Sequence, residues 1–268
     1  MLHFFSSYPM RLFLPVLSLI LITACESSQK QTSTAAPLKG PKSLIEQSIE
    51  AHGGLDRWKS FGTLAFEMVS QRGDRTSEER SILNLYTRHE RITGANYELG
   101  YDGKNYWQLL KEEGMKEKNP TFSINLQFYF FAMPFVLADE GVIEEHQGKK
   151  ELDGKTYEVV KITFESGTGV ASDDQYIVYL DPDTKRMEAM LYSVTYFNKE
   201  NAEKYSALRY TEWQEVNGLS LPKTLTRHRW NEEEQSFGEE NGVKHFVNVR
   251  LEAEVPAATV FAKPEGAN

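Results

Sequence analysis

The chain has 268 residues, of which 40% are hydrophobic and 12% aromatic. That is enough to build a core and too apolar for a mainly disordered chain. Lys+Arg 30 against Asp+Glu 39 gives a net charge of −9, which argues against sequence-independent nucleic-acid binding, since that needs a basic face. A single cysteine excludes an internal disulfide framework and any Cys-cluster metal site.

Residues 1–24 contain no acidic residue and one basic residue, Arg11, followed by an apolar run from Leu12 to Thr23. A bilayer span takes about 20 apolar residues, so this run fits the h-region of a signal peptide instead. It ends in Ile22-Thr23-Ala24-Cys25, which resembles the bacterial lipobox: an apolar residue, two small residues, then the cysteine that is lipidated. The expectation is a lipoprotein signal peptide over 1–24, a lipidated Cys25, and a flexible Ser/Thr/Gln/Ala-rich tether over 25–40. More than one acyl chain on one cysteine is a stable anchor. The chain is therefore expected to be held on a membrane of the bacterial cell envelope. Glu26, where an aspartate favours inner-membrane retention, points to the outer membrane.

A single β-rich domain is expected over 41–268. Pro41 to Ile49 reads as a helix, with Leu44, Ile45 and Ile49 on one face and Gly53-Gly54 as its stop. From Phe61 onward the period becomes 2. Leu64, Phe66 and Met68 alternate with Thr63, Ala65 and Glu67, and Leu83 and Leu85 with their neighbours. Further strands are predicted at Tyr97–Tyr101, Asn105–Leu110, Tyr157–Phe164, Gln175–Leu180, Met187–Phe197, Tyr205–Val216, Lys223–Trp230 and Lys244–Glu252. Asp102-Gly103, Asp153-Gly154, Asn217-Gly218 and Asn241-Gly242 are Asx-Gly pairs of the kind that close hairpins. About ten strands joined this way make a large antiparallel meander.

Residues 119–140 break the β pattern. Ten of these 22 are large apolar residues, among them Phe128, Phe131, Met133 and Phe135, and Pro134 interrupts any single helix. A broken helical insertion lying across the sheet is predicted. Its aromatics either cap the core of a curved sheet or line an apolar cavity.

The lipobox, the N-terminal helix, the meander, the apolar insertion and three short segments together resemble LolA- and LolB-like lipoprotein carriers. The segments are Ala51-His52-Gly53-Gly54, Val178-Tyr179-Leu180-Asp181-Pro182-Asp183-Thr184 and Trp213-Gln214-Glu215-Val216-Asn217-Gly218-Leu219-Ser220-Leu221-Pro222. The resemblance covers residues 42–255. It implies a mainly β fold in which a large curved antiparallel sheet forms an incomplete barrel. The N-terminal helix and the helical insertion would cover an apolar cavity that holds acyl chains. Alternation then offers Leu64, Phe66, Met68, Leu85, Trp107, Leu109, Met190 and Tyr192 as cavity residues, with Phe128, Phe131, Met133 and Phe135 from the insertion. The same reasoning turns Val247, Val249 and Leu251 inward.

No motif assigns a catalytic residue, a cofactor or a metal. There is no HExxH, no Gly-x-Ser-x-Gly elbow and no P-loop lysine. The expected partners are a lipid or other apolar small molecule and the membrane holding the anchor. Nucleic acid is not expected, and no protein partner is indicated. A carrier or receptor predicts a lined cavity, a scaffold predicts a filled interior, and a hydrolase predicts clustered polar groups with shifted pKa values.

Overall fold

The computed structural model describes residues 41–268, so the leader, Cys25 and the tether lie outside the described residues. Helix α1 (Leu44–Ala51) starts where a capping box allows it. Ser43 Oγ accepts from the Glu46 amide at 3.1 Å, and the Glu46 carboxylate accepts from the Ser43 amide at 2.8 Å. The helix ends at His52, and Gly53 (φ 109°) and Gly54 (φ 92°) turn the chain into α2 (Leu55–Lys59). Gly53 is required twice over. Its φ is in the left-handed range, and a Cβ would come within 2.4 Å of the Gly218 carbonyl oxygen.

The rest is one antiparallel sheet of twelve strands. In chain order they are β1 (Thr63–Arg72), β2 (Arg75–Asn84), β3 (Glu90–Gly94), β4 (Tyr97–Tyr101), β5 (Tyr106–Leu110), β6 (Val142–Leu152), β7 (Lys155–Phe164), β8 (Tyr176–Leu180), β9 (Met187–Tyr192), β10 (Ser206–Val216), β11 (Leu219–Asn231) and β12 (Ser236–Glu252). The spatial order is β5-β4-β3-β2-β1-β12-β11-β10-β9-β8-β7-β6. Two meanders thus meet where β1 pairs with β12. The edge strands β5 and β6 are not paired with each other, so the barrel stays open. The chain passes from one edge to the other through α3 (Pro120–Ala132) and a 3₁₀ turn (Phe135–Ala138), the broken helical insertion expected from the sequence. Asn119 caps α3, accepting from the Phe122 amide at 2.9 Å, and Pro120 occupies the first turn.

Periodicity overlooks β3 and β6. β6 is an edge strand wetted on both faces, with charged residues at Glu144, Glu145, Lys149, Lys150 and Glu151, so it has no alternation to read. Asp153-Gly154 and Asn217-Gly218 close hairpins with both residues at positive φ. Asn241-Gly242 does not. It lies inside β12, where the ladder steps from Arg227 opposite Gly242 to His228 opposite Glu240, leaving Asn241 as the extra residue of a bulge. A second break in β12 falls at Asn248 (φ 53°), between the pairs Ala65–Arg250 and Glu67–Val247. It turns Phe246 inward and Val247 outward, then returns Val249 and Leu251 to the inner face. The expected inward Val247 is corrected by that one-residue shift.

Most of the core lies on the inner face, between the sheet, α1, α3 and the 3₁₀ turn. A smaller cluster built on Tyr157, Val159, Tyr179, Ala189, Leu191 and Ala207 covers part of the outer face.

Candidate ligand-binding face

α3 carries large apolar residues around its circumference, with Thr121, Ser123, Asn125 and Gln127 between them, so no one face is left for water. Its Phe128, Phe130 and Phe131 are buried. Phe131 stacks on Phe66 of β1 at 4.5 Å, and Phe246 of β12 meets both rings edge-on at 4.9 and 5.4 Å. Phe130 packs on Tyr192 of β9 at 4.8 Å, and Tyr210 Oη donates to the Phe130 carbonyl at 3.0 Å. Past the Met133-Pro134 bond, Phe135 stacks on Trp58 of α2 at 4.7 Å. Arg88 holds the end of the insertion through both oxygens of Asp139, at 2.9 and 3.0 Å. Burial still raises the Asp139 carboxyl above its ordinary range.

Ten of the twelve residues named from alternation and the insertion come together here. Leu64, Phe66, Met68, Leu85, Phe128, Phe131, Met133, Phe135, Met190 and Tyr192 share one buried cluster. Trp107 and Leu109 do not join it. The ladders align Ala65, Ile82, Arg91, Gly100 and Trp107 in one row, and Ala65 alternates with the inward Leu64 and Phe66. Trp107 and Leu109 therefore face outward. The Trp107 indole lies against Gly100, where an added Cβ would sit 2.1 Å away, and its Nε1 donates to the Phe261 carbonyl at 3.0 Å. The C-terminal segment around Phe261 covers this outer face and buries it. Both faces of β5 are thus largely shielded, and its apolar alternation carries a period without a phase. Tyr106 and Gln108 face α3 instead, and Asn125 of α3 donates to Tyr106 Oη at 3.0 Å.

The inner face is filled by side chains rather than hollow. A half-open cleft of about 80 Å³ remains on the flank of α3, lined by Phe122, Leu126, Tyr129, Phe164, Tyr176 and Tyr196. Pockets for small molecules start at roughly 300 Å³. The cleft alone is therefore too small for an acyl chain.

A polar seam crosses the same face. Glu79, Ser81 and Leu83 share one side of β2, and Leu83 belongs to the inner core. Glu79 accepts from Tyr97 Oη and from Gln127 Nε2 of α3 at 2.6 Å. Glu90 of β3 is 1% exposed, and its Oε1 has no partner. Burial pushes its carboxyl well above the usual range; the Ser81 hydroxyl lowers it and the Glu79 charge raises it further. Beyond Glu79 come Ser70 of β1, Lys244 of β12 and Arg227 of β11. The alternation that marks Leu83 and Leu85 as inward also passes through Ser81 and Glu79, so part of the seam was readable in the sequence. Phe246 was hidden by the bulge at Asn248. Among the described residues no three His, Cys, Asp or Glu side chains gather as a metal site requires.

Residues 104–220 match the model of a family of unknown function, DUF6503. No curated protein matches. A LolA superfamily protein, NE2245 from Nitrosomonas europaea, superposes with a TM-score of 0.52 over 82% of this chain and 96% of that one, at 9% sequence identity. The fold is LolA-like. A DUF1329 family protein from Desulfovibrio piger covers 82% of this chain and 98% of its own at a TM-score of 0.49 and 13% identity. In this chain α3 is the element lying over the inner face of the open sheet.

Proposed function

We propose that this chain is a lipid-anchored protein of the bacterial cell envelope that binds a lipid or other hydrophobic molecule on the inner face of its sheet. The molecule takes space that α3 fills in the described structure. The observation that carries this reading is the helix itself. Phe128, Phe130 and Phe131 are buried, while Phe122, Leu126 and Tyr129 line a cleft open on the other flank. A helix this apolar is a plug that an acyl chain of similar character can replace. The lipobox ending at Cys25 supports the anchor, and Glu26 supports the outer membrane.

The test uses residues 26–268, which include the whole described domain. Organic extraction and mass spectrometry should find an acyl-chain species at about one per protein. A fluorescent fatty acid should bind the emptied protein, and Leu126→Glu at the cleft should weaken that binding at least tenfold while leaving the melting temperature within a few degrees. An empty extract together with no fatty-acid uptake would refute the reading. Labelling with radioactive palmitate, abolished in Cys25→Ser, tests the anchor separately.

The filled inner face is also what a non-catalytic scaffold requires, and Phe197, 65% exposed beside Phe122, offers such a scaffold an apolar contact.

A further inference from the structure

Resting on that reading, we propose that the inner face takes an amphipathic ligand with an anionic head group, a carboxylate or a phosphate, held by Arg227 and Lys244. The β11–β12 ladder sets Leu225 opposite Lys244 and Arg227 opposite Gly242. Arg227 and Lys244 are therefore diagonal neighbours on one face, close enough for long side chains to meet. The face is the inner one, because Leu225 and Phe246, each two residues from one of them, belong to the inner core. Ser70 stands directly opposite Lys244 on β1.

Two cations side by side repel, and a protein ordinarily answers them with a carboxylate. Among the described residues neither has one within 4.0 Å, and each of the salt bridges formed there uses other cations. Of the carboxyl groups on the same side of the sheet, Glu79 is already engaged by Tyr97 and Gln127, and burial pushes Glu90 toward its neutral form. Arg227 Nε and Ser70 Oγ are buried without a partner. So is Gln127 Oε1 along the seam, where Ser81 Oγ and Glu90 Oε1, near enough for the hydroxyl to lower the carboxyl, have no partner beyond each other. Buried polar atoms are ordinarily satisfied by protein or by ordered water, so orphans on one face call for a group from outside the chain, a water or a ligand, and the two unanswered cations favour an anion. An anion beside Arg227 and Lys244 would answer both charges and accept from Ser70 Oγ. Burial also holds the Lys244 ammonium below the ordinary lysine range, while the Glu79 charge acts to raise it. The apolar tail would then run from the head group onto the Met68 and Phe66 surface that Phe131 covers in the described structure.

The test compares ligands of one chain length that differ in head group. Oleate, oleyl alcohol and inorganic phosphate are titrated against residues 26–268 and against Arg227→Gln, Lys244→Gln and Arg227→Lys. Circular dichroism and melting curves check that each variant folds. Oleate should bind at least tenfold more tightly than oleyl alcohol. Each Gln variant should bring oleate down towards the alcohol while leaving the alcohol unchanged, and Arg227→Lys should keep most of the difference. Equal binding of oleate and alcohol, or oleate binding indifferent to both Gln variants, would overturn the head-group clamp and leave the ligand reading standing. Phosphate binding that needs Arg227 and Lys244, with neither chain compound bound, would overturn the lipid reading and assign the cations to a free anion. Failure of all three would overturn both.

Discussion

His52 is fully buried at the junction of α1 with the β10–β11 hairpin, and protonating it should weaken the fold in a calculable way. Its Nδ1 lies 2.8 Å from the Ser48 carbonyl, so the neutral ring carries its proton there. Its Nε2 has no partner, and its ring packs on Trp213 with centroids 4.4 Å apart. A second proton at Nε2 would be a buried charge with no acceptor. The pKa is accordingly lowered from 6.5 to about 4, chiefly by burial, against the raising effect of the Ser48 hydrogen bond. The folded pKa is lower than the unfolded one, so between pH 6.5 and about 4 the unfolded chain binds more protons. The stability His52 contributes is complete above pH 6.5 and is lost as pH falls through that window. At about 1.36 kcal/mol per pKa unit, the full loss is roughly 3 kcal/mol, of which about 2.5 is reached by pH 4.5. The assay is urea unfolding of the wild type and His52→Gln at pH 7 and pH 4.5. The variant starts less stable, through lost packing on Trp213, but should lose about 2.5 kcal/mol less than the wild type on acidification. Groups such as Asp174, raised by burial, titrate in both proteins and cancel in the comparison. Equal acid losses in the two proteins would refute the argument.

Glu90→Gln should stabilise the fold near neutrality, because Glu90 has a raised pKa and costs stability as pH rises above the ordinary carboxylate range. The melting-temperature gain over wild type should grow from pH 4 to pH 8 and be near zero at the acid end. Phe131→Ala should cost about 3–5 kcal/mol in chemical denaturation, since the ring is fully enclosed between Phe66 and Phe246. Gly53→Ala should destabilise by about 1–3 kcal/mol or more, because the φ is positive and the Cβ meets the Gly218 carbonyl. A thermal melt measures it.

What could be read from the sequence was period, and what could not be read was phase. The alternation in β1 gave the inward residues correctly because the opposite positions are visibly more polar or smaller: Glu67 against Phe66, Thr63 against Leu64. In β5 the same argument chose the wrong face. A segment more than 150 residues away lays the Phe261 carbonyl over Trp107 and makes the outer side apolar as well. In β12 a bulge at Asn248 reverses the alternation within one strand. Asn241-Gly242 has the composition of a turn, yet the long β11–β12 pair continues through it as a bulge. Each failure has the same cause. Local pattern records which side chains want burial, while the covering element or the register is decided elsewhere in the chain.

That α3 both fills the inner face and gives way to a ligand can be judged by magnitude. Ile124, Phe128, Phe130 and Phe131 are its buried large apolar side chains. At about 1.5–3 kcal/mol each, lifting them off the sheet costs roughly 6–12 kcal/mol. An acyl chain returns about 0.8 kcal/mol per buried methylene, so a chain of about eight carbons supplies roughly 6 kcal/mol and one of about sixteen roughly 13. Short chains therefore fail to displace the helix and long ones succeed. Fatty acids from octanoate to stearate should show a threshold in affinity near ten to fourteen carbons rather than a uniform rise per carbon. Above it, hydrogen exchange of the α3 amides should speed up as the ligand binds. Octanoate binding as tightly as palmitate, with α3 still protected, would place the ligand in the cleft beside Phe122 and Tyr196 and remove the helix from the mechanism.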